Sequence, residues 1–156
     1  MRNLLPAIIL TSAIMTSVTQ AQLRPYKADK AARAELDNRI HALNDATAKN
    51  HAEEAALHGV SVETGVPIET IRRIHHDYPK VTPAGIFIGC IIADNTKEDP
   101  ASIIRRRDAG KDWTSLAEEY GVPLEKIDRR LARLENYVRA GSDQRPVERR
   151  ERERHD

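Results

Sequence analysis

The chain has 156 residues, which limits it to one or two small domains. Lys and Arg number 25 against 24 Asp and Glu, so the net charge is +1 with neutral His. That is too little to hold nucleic acid or an anionic membrane by bulk electrostatics. Aromatics are 4% of the residues and there is one Cys, which excludes a disulfide framework within the chain and any Cys-rich zinc site.

Residues 1–22 read MRNLLPAIILTSAIMTSVTQAQ. Arg2 supplies positive charge, Leu4 to Met15 is an apolar run of 12 residues, and Thr19 and Ala21 place small side chains before a cut after Ala21. This is the pattern of a cleavable secretory leader, and the run is shorter than the roughly 20 residues a membrane-spanning helix needs. The expectation is a bacterial protein that is periplasmic or secreted, with no stable membrane anchor after cleavage. Arg24, Lys27, Lys30 and Arg33 oppose translocation. The competing readings are an uncleaved anchor and an ordinary buried N-terminal helix.

After a linker at 22–29, the spacing predicts one all-α domain over 30–140, a bundle of about six helices. A long first helix from Ala28 to about Asn50 carries Leu36, Ile40 and Leu43 on one face, with its far end unsettled near Ala56–Gly59. Gly65-Val66-Pro67 stops one helix and starts the next, with Gly65 in the left-handed position and Pro67 in the first turn. The new helix places Ile68, Ile71 and Ile74 on one side. Thr82-Pro83 opens a buried central helix through GIFIGCIIA, since no second β-branched run exists to pair with it as a strand. Asp99-Pro100 opens a helix with Ile103 and Ile104 that Gly110 closes. Asp112 caps a helix holding Trp113, Leu116, Ala117 and Tyr120. Gly121-Val122-Pro123 repeats the stop-start signal, and the last helix carries Leu124, Ile127, Leu131, Leu134 and Val138. It is expected to end near Gly141. Residues 141–156 are charged, with no apolar stripe, and read as a disordered tail or frayed helix.

Residues 57–74 and 113–130 share seven identities over 18 positions without a gap, including the joint residues Gly65/Gly121 and Pro67/Pro123. We read two copies of one unit, near 57–78 and 113–138. The second copy resembles a DNA-binding helix-turn-helix. Leu116-Ala117, Gly121-Val122 and Ile127 fall at that motif's spacing, with small Ala117 at the crossing. In the first copy Ser61 takes that place. The resemblance implies a helix-joint geometry, and a nucleic-acid binder with a misread N-terminal segment is the alternative function. The chemistry is a poor match, because Glu125 and Asp128 stand beside Lys126 and Arg129 where phosphates would lie. Arg72, Arg73, Arg105, Arg106, Arg107, Arg129 and Arg130 are the candidate basic patch, with solvated helix faces as the plainer reading.

No catalytic motif is present, and no cofactor or metal site is expected. His75-His76-Asp77 point in different directions on a helix end, and His51 and His58 are two turns apart. Cys90 reads as a small buried hydrophobe, with a mixed disulfide as the sharper reading. Gly85 and Gly89 read as a close helix contact. The function expected is an exported, non-enzymatic module. It would bind an unidentified protein partner through an apolar groove or helix face, or serve a structural role, with self-association left open.

Overall fold

The computed structural model describes the backbone of residues 28–49 and 51–152 and the side chains of 28–49 and 51–140. The leader, and the linker up to residue 27, lie outside the described residues. Those residues form seven helices and no strand: α1 Lys30–Lys49, α2 Glu53–Thr64, α3 Ile68–Asp77, α4 Pro83–Thr96, α5 Pro100–Asp108, α6 Trp113–Glu119 and α7 Leu124–Arg152. The all-α class stands.

The centre of the bundle is α4. Every residue from Pro83 to Ala93 is buried, as expected of a helix that is apolar all round. Its two glycines are where neighbours come closest. A Cβ on Gly89 would stand 2.6 Å from Ile104 of α5, and one on Gly85 would stand 3.2 Å from the Trp113 ring of α6. The contact motif of the sequence thus receives α5 and α6. Around this core α7 packs against α1, α2 and α4. It buries Leu124, Ile127, Leu131, Leu134 and Val138, each at most 1% exposed. Gly59 lets α2 approach α7, since a Cβ there would lie 2.8 Å from Leu134 and from Tyr137.

The helix ends show which signals are local. Thr82 accepts from the Gly85 amide, and Asp112 accepts from the Ser115 amide at 2.8 Å. Gly65, Gly110 and Gly121 have φ of 73°, 104° and 65°, conformations that favour glycine.

Apart from the end of α7, the helix boundaries fall within a few residues of expectation. The first helix ends at Lys49, close to the expected Asn50, and the far end left unsettled near Ala56–Gly59 belongs to α2; between them His51 takes φ 49° and the Ala52 amide donates to the Thr47 carbonyl at 2.9 Å. The linker is shorter than 22–29. Ala28 is buried with its amide on Glu118 Oε1 at 2.9 Å, and Asp29 caps α1 through the Ala32 amide at 2.7 Å. Pro67 and Pro123 stand just before the first turn instead of within it, and their carbonyls accept the first helical bonds. Asp99 makes no side-chain cap. Gly141 does not end α7, which runs on to Arg152.

A candidate cleft and the fate of the basic residues

Three segments meet around a cleft of about 370 Å³. One wall is α1, with Asp37, Ile40, His41 and Asn44. The opposite wall is the α3–α4 link and the start of α4, with Lys80, Val81, Thr82 and Gly85. The end of α5 and the start of α6 close it with Arg107, Asp108, Gly110, Asp112 and Trp113. Helix periodicity explains the apolar part. Ile40 continues the Leu36–Leu43 face of α1, yet it is only partly buried where those two are buried, because the cleft opens beside it.

The electrostatics of the cleft are set by how its groups are held. The Arg107 guanidinium lies 5.8 Å from the Trp113 ring centre, and its Nη1 donates to the Lys111 carbonyl at 3.3 Å. Asp112 is committed to α6. Its carboxylate accepts from the Ser115 amide at 2.8 Å and the Ser115 hydroxyl at 2.6 Å, and these bonds, the hydroxyl first, hold it below the ordinary aspartate range.

The arginines of the candidate patch take separate partners. The consecutive Arg105, Arg106 and Arg107 each take a different aromatic. Arg105 Nε donates to the Tyr78 hydroxyl at 3.4 Å. Arg106 lies 5.4 Å from the Tyr120 ring centre and 2.9 Å from Glu119. Arg107 has Trp113. Arg130 lies 5.6 Å from the Phe87 ring centre, donates to the Glu63 carbonyl at 2.6 Å and stands 3.9 Å from Asp94. Four of the chain's six aromatic residues therefore carry an arginine. Arg72 pairs with Glu54 at 2.9 Å across α2 and α3. Arg73 is exposed on α3, and Arg129 is exposed on α7 beside a smaller hollow with Glu35 and Glu125.

The two glycine joints, Gly65 to Pro67 and Gly121 to Pro123, lead into helices with different surroundings. The helix after the second joint, α7, is enclosed by α1, α2 and α4. Its Asp128 pairs with Arg39 of α1, and Lys126 donates to Asn95 at 2.7 Å. Among its described side chains those left exposed are Glu125, Arg129, Arg133, Asn136, Arg139 and Ala140. The helix after the first joint, α3, buries Ile71 and Ile74 and exposes Glu69, Arg72, Arg73 and His76. Ser61, in the position of Ala117, turns its hydroxyl onto the Val66 carbonyl at 2.7 Å and so braces the joint.

The remaining candidates fall apart as sites. His51 lies in the α1–α2 break and His58 on α2, so they do not share a helix face. His75 stands 3.5 Å from Glu53. Cys90 is 2% exposed, and burial pushes its thiol up to about 12, so it is a packed side chain without thiolate chemistry at neutral pH. Among the described residues no group of His, Cys, Asp and Glu is placed to hold a metal. None of the described helices is long and apolar enough to cross a membrane. Val62, at 55%, is the one large hydrophobic exposed among the described residues.

Comparison with known protein families, curated proteins and solved structures finds no match to this chain.

Proposed function

We propose that the chain is exported from a bacterial cell behind the leader at 1–21, is cut near Ala21, and works outside the cytoplasm as a non-enzymatic binding or structural module. The sequence of the leader supports export. The enclosure of α7 carries the rest. The helix that the sequence resemblance would send into a DNA groove packs against α1, α2 and α4, and Asp128 is tied to Arg39, which leaves Glu125 and Arg129 as its exposed N-terminal positions. A recognition helix needs its N-terminal face open. On this reading the two joints are copies of one packing unit, used to build the bundle. A protein partner, or a second copy, would meet a largely polar surface in which Val62 is exposed and Ile40 opens onto the cleft.

The alternative, nucleic-acid binding, is favoured by one observation: α3 exposes Arg72, Arg73 and His76 together. Its reach is small, because Arg72 is paired with Glu54 and Glu69 shares the face.

Fusing residues 1–30 to a reporter active only outside the cytoplasm tests the proposal. Activity from a cleaved product supports export. A silent reporter, together with DNA binding that weakens steeply with salt, would favour the alternative.

A further inference from the structure

We propose that the cleft between α1, the α3–α4 link and the α5–α6 turn binds a small zwitterion with an apolar body, the chemistry of a free amino acid or a dipeptide. The cleft alone supports this assignment, whether or not the chain is exported.

The size comes first. About 370 Å³ is at the small end of ligand sites and suits one or two residues' worth of atoms. Charge comes second. Setting aside Asp112, which is bound to Ser115, the lining presents two acids, Asp37 and Asp108, and two fixed cations, Lys80 and Arg107, with the His41 imidazole on the α1 wall beside Asp37. A net anion or a net cation would leave one sign unanswered, whereas a zwitterion answers both. The third point is preorganisation. The Arg107 guanidinium lies over the Trp113 ring, 5.8 Å from its centre, and one of its five N–H donors is used on the Lys111 carbonyl. The rest of the fork is available for a carboxylate, with Lys80 beside it. Asp37 and Lys80 are both exposed at the rim of the cleft, where a ligand can reach them. Asp37, on the other wall, is placed for an ammonium. Ile40 and Trp113 supply apolar surface for the ligand's body.

Trp113 is the chain's single tryptophan, so its fluorescence reports on this cleft. The purified chain is titrated with L-leucine, L-leucyl-L-leucine, N-acetylleucine (no ammonium) and leucinamide (no carboxylate). The proposal expects a saturable emission change with leucine or the dipeptide, the tighter of the two distinguishing the free acid from the peptide. It expects binding about tenfold or more weaker for the two blocked forms. Asp37→Asn should weaken leucine to about the level of N-acetylleucine and leave N-acetylleucine unchanged. Lys80→Gln should do the same with respect to leucinamide. Both side chains are exposed, so these variants are expected to melt with the parent. No emission change with any probe, equal binding of all four, or full leucine affinity in both variants would overturn it.

Discussion

The guanidinium of Arg130 lies over the Phe87 ring, 5.6 Å from its centre, and so joins α7 to the buried core of α4. The same side chain donates to the Glu63 carbonyl in the last turn of α2, while its own Nε is buried without a partner. Three helices therefore meet on one arginine whose side chain is 16% exposed. Arg130→Ala should cost about 2–3 kcal/mol, since it removes packing and orphans a carbonyl. Arg130→Met, which keeps the stem, should cost about half of that. Urea unfolding of the two variants checks the split, and equal losses would mean the bond to Glu63 outweighs the stem packing.

Gly59 fixes how near α2 and α7 stand. An added Cβ would meet Cβ of Tyr137 at 2.8 Å, an atom that side-chain rotation cannot move. Gly59→Ala should therefore destabilise by about 1–3 kcal/mol despite alanine's better helix propensity. Urea unfolding that left Gly59→Ala as stable as the parent would show that the two helices can separate cheaply.

Gly121, with φ 65°, holds a backbone conformation that costs other residues about 1–2 kcal/mol. Gly121→Ala should lose about that much, and Gly121→Val more, because a β-branched residue fits the left-handed region worst. Thermal melting of the pair gives the order.

Ser115 and Asp112 make a pH-dependent cap. The folded state holds the Asp112 carboxylate below its ordinary value, through the Ser115 hydroxyl first and the Ser115 amide next. A depressed carboxylate adds stability above the ordinary aspartate range, about 3.9, and that stability drains as pH falls through the lower folded value. Ser115→Ala should thus be less stable than the parent at neutral pH, with the gap narrowing in acid. Denaturant unfolding at a series of pH values measures it, and a gap that widened in acid would contradict the assignment.

Cys90 should resist thiol reagents in the folded protein, because burial keeps it protonated and covered. Its labelling rate should rise only when denaturant opens the core. Rapid labelling under native conditions would place it at the surface.

These features were unequally legible in the sequence. Caps made by Thr82 and Asp112 could be read because donor and acceptor are three residues apart. The stripe of α7 could be read because each of its apolar positions is buried. The positive φ of His51 could not, since a non-glycine residue in that conformation carries no signal of its own. The partners of the basic residues were hidden for a related reason. Arg105 meets Tyr78 and Arg130 meets Phe87 only once distant segments have packed. The cleft was invisible for the same cause, being assembled from α1, the α3–α4 link and the α5–α6 turn. Asp128 shows the limit most clearly. It looked like a carboxylate set against DNA phosphates, and in the fold it is the partner of Arg39.

Export is tested most directly by the intact mass of the full-length chain after expression in a Gram-negative cell, taken separately for periplasmic and cytoplasmic fractions. Cleavage after Ala21 gives a periplasmic chain that begins at Gln22, and this is the expected result. An unprocessed chain beginning at Met1, confined to the cytoplasm and sedimenting with the chromosome, would contradict it.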